Sequence, residues 1–436
     1  MSVRTLLLFA SYFLMFSAAG LSAAEVKLVE NLPAGSRQTI EVTTEITGQM
    51  TLPATKDAKP KQMSVTGKSQ LKYDERALPA DDKDTDTLLR VYRSLAIERK
   101  VGDNPQTATI RPDVRRLVVL RSIKGKSPFS PDGPLLFSEI DVVKNDLFAP
   151  VLVRGLLPNK AVNDGETWDA SAEAIRELTD LEQVTAGKLS IKFVGIVTFD
   201  GKDRARLSIS GSLRGVDDNG PCKHTLDGTA YFDVDTAMLV YLSVKGTHDL
   251  LDGEGQLAGR IEGRMTMTRG VSTAESLADD VVMKLELKPT PENTRLLYEN
   301  STLGVSFTHP RRWRVGAVQG KQVTLDGPNG AGLLLTLETL KTLPTTEAYL
   351  KETQEFLTKE KGTMTNISKV DRVQDQPTKL DRFGFDADLG KESLRLEYAV
   401  IVGEKAGVTA AARLPQKDAE ALTKDVDVVV KSLRLK

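Results

Sequence analysis

The sequence predicts an α+β chain in two parts: a large antiparallel β-sheet with short helices, then a smaller α+β sandwich. Three observations carry that expectation. Apolar and polar residues alternate with a period of two in run after run, turn-forming Asp, Gly and Asn residues separate several of these runs, and helical periodicity is confined to a few segments.

Ahead of the strands lies a different kind of segment. Arg4 supplies a positive start, Leu6–Phe16 is an apolar run, and small residues follow, with Ser22 and Ala24 at the −3 and −1 positions of a cut before Glu25. Charge, greasy stretch and small-residue exit make Met1–Ala24 a secretory signal peptide. An uncleaved anchor is the competing reading, because the run approaches the ~20 residues that span a bilayer; the Ala/Ser/Gly-rich end favours cleavage. Lipidation at the cut would need a cysteine there, and the single cysteine is Cys222. The expected location is therefore secreted or periplasmic, in a bacterial envelope.

The first strand, Thr39–Thr47, sends Ile40, Val42 and Ile46 to one side and polar residues to the other, a sheet with one wet face. Similar runs cover Met63–Tyr73, Leu88–Arg99, Arg115–Arg121, Leu189–Thr198, Arg204–Gly211, Gly228–Asp233, Leu239–Thr247 and Arg260–Thr268. Asp200–Asp203 and Asp217–Gly220 are hairpin signals, and Asp233–Thr236 is a further turn, so these runs form a meander. Leu135–Val143 and Leu147–Leu157 read as a short helical pair packed on the sheet. Ser171–Leu181 reads as a helix with a serine N-cap.

Ser, Asp, Pro and Glu collect over Val271–Arg295, ending in Lys288-Pro289-Thr290-Pro291. Prolines this close block helix and ladder alike, which places the domain boundary there. The expected division is 25–285, a linker at 286–295, and 296–436. In the last part, strands at Gln322–Asp326, Gly332–Leu340, Asn366–Val373, Arg382–Asp388, Leu394–Val402 and Gly407–Arg413 accompany two helices. Thr345–Lys361 presents Leu350, Thr353, Phe356 and Leu357, and Lys417–Leu433 presents Leu422, Val426, Val429 and Val430.

Gly304-Val305-Ser306-Phe307 followed by His309-Pro310, Trp313 and Val315, with a final amphipathic helix ending Ser432-Leu433-Arg434-Leu435, resembles the PsbP-like domains of exported bacterial proteins. The resemblance covers Tyr298–Lys436 and implies an α-β-α sandwich and an accessory or binding role, with no catalytic residues to transfer. Read from the residues alone, Val305, Phe307, Trp313 and Val315 are core, and Pro310 ends a strand at a sheet edge. Residues 25–285 are similar, in strand count, late hairpins and helical insertion, to the curved antiparallel sheet of lipoprotein carriers of the LolA type.

Composition narrows the function. Lys+Arg 59 against Asp+Glu 60 gives a net charge of −1, without the basic excess that nucleic acid or an anionic membrane surface requires. Aromatics at 5% are too few for stacking platforms. Hydrophobic residues at 40% suffice for ordinary cores, and one cysteine forbids an intramolecular disulfide.

Candidate sites are few. Cys222 and His224 share a strand face, but a zinc site needs three or four ligands, and three histidines with one cysteine leave little to add. A Cys/His nucleophile pair is geometrically open, yet residues two apart need not aim the base at the sulfur. His248 and Asp249 are strand neighbours and point to opposite faces. His309, before Pro310, reads as surface. Asp82, Asp84 and Asp86 have the spacing of a calcium loop, but Thr87 and Arg93 stand where glycine and glutamate are required. Ser208, Ser210 and Ser212 lie outside any Gly-x-Ser-x-Gly pattern, and the glycine-rich stretches lack a phosphate-loop ending.

No catalytic, cofactor or metal residues are therefore assigned, and no cofactor is expected. The expected function is a non-enzymatic accessory or binding protein whose partner is a protein or an apolar ligand, with no nucleic acid and no membrane span after signal cleavage. The alternative is an exported hydrolase that uses a carboxylate cluster or Cys222/His224.

Overall fold

A computed structural model describes residues 25–436 except 31, 53–60, 80–84, 123–124, 145–149, 219, 374–377 and 391. Met1–Ala24, Asp82, Asp84 and Asn219 lie outside the described residues.

The chain begins with β1 (Val26–Leu28), β2 (Arg37–Leu52), β3 (Lys61–Leu78), β4 (Asp86–Val101), β5 (Asn104–Ala108), β6 (Arg116–Ser122), β7 (Gly125–Phe129) and β8 (Leu135–Leu136). Helices α1 (Phe137–Lys144) and α2 (Pro150–Leu156), strands β9 (Lys160–Val162) and β10 (Thr167–Asp169), and helix α3 (Ala172–Thr179) form an insertion. The meander resumes with β11 (Gln183–Phe199), β12 (Lys202–Asp217), β13 (Gly220–Asp233), β14 (Met238–Leu251) and β15 (Leu257–Val271), followed by the short α4 (Asp279–Val282).

Ten of these strands lie in one antiparallel sheet in the order β11-β12-β13-β14-β15-β2-β3-β4-β6-β7, with β10 added at one edge and β5 on β4. The turn between β11 and β12 is built as its sequence demands. Asp200 and Gly201 both take positive φ, 52° and 71°, the geometry of a primed hairpin turn. The strands outrun the alternation that announces them, because Gln183–Gly187, through a bulge between Val184 and Ala186, and Gly220–Cys222 pair with β12 while lacking an apolar/polar period.

The sheet curls around its own inner face. Tyr73 and Leu71 of β3 share one buried core with Phe193, Ile191 and Leu189 of β11, six neighbours away in the sheet order. Glycines make that approach possible. A side-chain carbon at Gly48, Gly211 or Gly246 would strike the carbonyl of Arg260, Lys188 or Thr225 on the adjoining strand. The insertion plugs one half of the concavity: Val153, Leu156, Ala174 and Ile175 pack against the inner rows of Ile40, Leu242 and Leu207. Each buried Val, Leu or Ile among them contributes about 1.5–3 kcal/mol by leaving water. Ser171 caps α3 by accepting from the Ala174 amide at 3.2 Å.

Buried charges fasten the ends of this sheet. Arg269 donates to Glu30 at 2.6 Å and Arg90 to Glu75 at 2.5 Å, both arginines fully buried. Asp74 accepts from Thr39 at 2.7 Å and Ser272 at 2.6 Å and also pairs with Arg93.

The second part holds β16 (Leu296–Asn300), β17 (Val305–His309), β18 (Arg314–Gln319), β19 (Gln322–Asp326) and β20 (Gly332–Thr339). It continues with α5 (Thr346–Lys359), β21 (Thr363–Thr365), β22 (Asp371–Val373), β23 (Lys379–Leu389), β24 (Glu392–Val402), β25 (Ala406–Pro415), α6 (Ala419–Ser432) and β26 (Arg434–Leu435). Its sheet runs β18-β19-β20-β25-β24-β23-β21, with β22 also on β23.

Alternation on β24 separates two cores. Leu394 and Leu396 join Leu357 of α5, whereas Ala399 and Ile401 join Leu422, Val426 and Val429 of α6. The helices therefore cover opposite faces, the α-β-α arrangement expected for this region. The chain as a whole is α+β and mostly β.

Several local expectations are corrected. Leu135–Val143 opens not as helix but as β8, which pairs in parallel with β16 through Leu135 and Leu296. Asn366–Val373 is not one strand; Asn366 takes φ 49°, and β21 and β22 pair separately with β23. Phe356 is 57% exposed, because α5 turns Thr346, Thr353 and Leu357 fully inward and leaves Phe356 off that face. His309 is 4% exposed, not surface, since it continues the buried alternation of Val305 and Phe307 on β17.

Candidate functional site

The plug stops short of the far half of the concave face. Beyond it, inward residues of β2, β3 and β13–β15 line a cavity of about 1580 Å3. Its floor is apolar: Ile46, Met50, Val65, Leu226, Val244 and Ile261. Register sets this composition. Ile46 stands opposite Gly67 and Gly263, and Gly263 opposite Gly246, so Ile46 is the single bulky side chain among these four positions. Absent side chains leave the space, while Ile46, Met50 and Ile261 remain only half-buried.

One wall is polar. Glu177 of α3 lies buried between Lys126, at 2.9 Å, and Arg121. Asp180 follows α3, and burial pushes its carboxyl above the ordinary value.

The same wall gathers the residues that sequence reading considered in pairs. Cys222 and His224 share the inner face of β13, with Sγ 3.9 Å from Nε2. Antiparallel register sets His248 of β14 directly opposite His224, and the two rings stack at 4.2 Å with an interplanar angle of 16°. Donor atoms of Cys222, His224 and His248 all lie within 4.8 Å of one another. Asp217, at the end of β12, places Oδ2 3.1 Å from His248 Nε2, although out of line for a hydrogen bond. Cys222 is buried, and the two imidazoles line the cavity.

Electrostatics define the chemistry available to these groups. Burial first, and then the Asp217 carboxylate as charge and hydrogen-bond partner, pushes the Cys222 thiol up to about 11. Burial and the neighbouring His248 push His224 down to about 4, so its imidazole is neutral at physiological pH. A protonated thiol is a poor nucleophile, and a weakly basic imidazole is a poor acceptor for its proton. Imidazoles beside a cysteine are a donor set for a borderline-soft metal ion.

The other candidates do not come together. His248 faces inward and Asp249 outward, where Arg260 donates to it at 2.6 Å and 3.1 Å. His309 ends β17, in a separate four-stranded sheet of order β26-β17-β16-β8, and its Nδ1 lies 3.1 Å from the Pro310 carbonyl. Asp86 pairs with Arg154, and Ser210 and Ser212 lie on the outer face of β12. What the sequence reading missed is the joining of His248 and Asp217 to Cys222/His224. The signal was the Asp217–Gly220 turn: it fixes the β12–β13 register, which brings Asp217 and Cys222 to one sheet end.

Among the described residues, no helix is long and apolar enough to cross a membrane, a statement that leaves strand-built crossings aside. No family model matches the sequence, and no curated protein matches it. Among solved structures, the chain is similar to cyanobacterial PsbP (CyanoP) from Synechocystis sp. PCC 6803, at 10% identity over 33% of this chain and 92% of that one, with a TM-score of 0.28. It is also similar to lipovitellin, at 10% identity over 57% of this chain and 27% of that one, with a TM-score of 0.29. A third likeness, at 11% identity over 92% of this chain and 93% of that one, is to MucB in complex with MucA(peri), with a TM-score of 0.16. Scores this low carry no argument about function, so the reading of this chain rests on its own cavity.

Proposed function

We propose that this protein is an exported, non-enzymatic binding protein whose curved sheet takes up the acyl chain of an amphipathic ligand. The carrying observation is the cavity of about 1580 Å3 with a floor of Ile46, Met50, Val65, Leu226, Val244 and Ile261. Pockets for small metabolites enclose about 300–1,000 Å3, so the space suits a long flexible apolar body better than a compact one. Ionic residues along one wall, among them Arg121, Lys126 and Glu177, give a polar head group a place to sit while the chain lies on the floor. Work outside the cytoplasm is supported by the pattern of Met1–Ala24.

The rival reading, hydrolysis by Cys222 with His224, meets the electrostatics described above. A catalytic thiol needs a lowered pKa, and this one is raised to about 11.

The test is uptake of a fluorescent long-chain fatty acid by purified protein, followed by native mass spectrometry of the complex. Saturable one-to-one binding, abolished in Ile46→Asp and Ile261→Asp, supports the reading. Unsaturable uptake, or binding that both variants retain, overturns it.

A further inference from the structure

We propose that Cys222, His224 and His248 form a binding site for a zinc-class divalent ion in the cavity wall, with its fourth coordination position facing the cavity. This goes beyond the acyl-chain reading and does not depend on it.

Three features carry the inference. First, the donor set has the right size and kind: one sulfur and two imidazole nitrogens within 4.8 Å of one another. Zinc–sulfur bonds of about 2.3 Å and zinc–nitrogen bonds of about 2.0–2.1 Å put tetrahedral sulfur and nitrogen ligands about 3.6 Å apart. The 3.9 Å between Cys222 Sγ and His224 Nε2 needs only a small rotation to meet that.

Second, the site is built by paired strands, not by loops. Cys222 and His224 are two apart on β13, and His248 faces His224 across the β13–β14 ladder, so backbone hydrogen bonds hold all three donors. Third, Asp217 stands beside His248 at 3.1 Å and supplies a negative charge against the cation.

Binding is a proton-balanced exchange. The cation bonds to the Cys222 sulfur as the thiol proton leaves to solvent, and the imidazole nitrogens of His224 and His248 donate lone pairs. Three protein ligands with an open fourth position is the arrangement of zinc sites that present the metal to water or to a bound molecule. Here that position is reached from the cavity, because His224 and His248 line it while Cys222 lies sealed beneath.

The experiment titrates chelator-treated protein with zinc chloride in a calorimeter and with cobalt chloride in a spectrophotometer. Expected are one equivalent bound, release of one proton, and a thiolate-to-cobalt charge-transfer band. Cys222→Ser should abolish that band. His248→Gln should weaken zinc by more than the ~10–100-fold expected of a supporting residue such as Asp217 in Asp217→Asn. Far-UV circular dichroism checks each variant's fold; should the buried positions not tolerate change, the half-exposed His248→Gln and the wild-type cobalt spectrum decide. Substoichiometric binding, a cobalt complex without the charge-transfer band, or unchanged affinity in folded His248→Gln overturns the proposal.

Discussion

The two sheets solve the problem of burial in opposite ways. In the second, α5 and α6 cover both faces, and the inward residues of β24 alternate between two dry cores. In the first, the insertion of α1–α3 covers only half of one face. Among the described residues, the rest of that face lines the cavity with an apolar floor, where Ile46, Met50 and Ile261 stay only half-buried. A sheet closed on both sides spends its apolar surface on stability. One left half open leaves some of that surface lining a cavity. Glycines sharpen the contrast, since Gly246 and Gly263 line the cavity without side chains.

Substitutions can break or sharpen this comparison. The largest effect belongs to the filled sheet: Phe385→Ala, fully buried against α5, should cost about 3–5 kcal/mol in urea unfolding. A comparable deletion on the cavity floor should cost clearly less; equal costs would mean that the floor is packed.

Next comes the fastening of the first sheet. Asp74→Ala leaves Thr39, Ser272 and Arg93 without their acceptor and should cost about 2–3 kcal/mol. Burial pushes Asp74 up, but hydrogen bonds from Ser272, Thr39 and Arg93 outweigh it and hold the carboxyl below its ordinary value. Its stabilisation is therefore complete above the usual carboxylate range and lost as pH falls through the lower folded value. Stability of the wild type and of Asp74→Asn should converge on acidification; a constant gap would remove Asp74 from the account.

Removing the plug's cap is smaller. Ser171→Ala should cost about 1 kcal/mol, read as a lower melting temperature. Smallest is Phe356→Ala, on the exposed face of α5, within about 0.5 kcal/mol. A large loss there would show that Phe356 has a partner.

Much of this architecture is legible in the residues, and the failures have physical causes. Alternation finds the strands because one face of each meets a core, and it underestimates them where both faces are solvated, as at Gln183–Gly187. It places His309 correctly once Val305 and Phe307 are counted with it; proximity to Pro310 is the weaker signal. Phe356 fails because the buried face of α5 runs through Thr346, Thr353 and Leu357 and leaves position 356 outside it. The metal candidate fails by half. Sequence spacing puts Cys222 and His224 on one face, but His248 and Asp217 arrive only through strand register.

By itself, then, the sequence determined the class of the fold, the positions of most strands and helices, and the shared face of Cys222 and His224. These follow from local rules: a period of two, a period of 3.6, and the turn chemistry of Asp-Gly. The tertiary structure decided how far the sheet curls, that the helical insertion fills only half of it, and that four donor-bearing residues meet in the wall. Curl and filling depend on which glycines stand opposite which bulky residues. That is a property of register between strands far apart in sequence, and no single segment carries it.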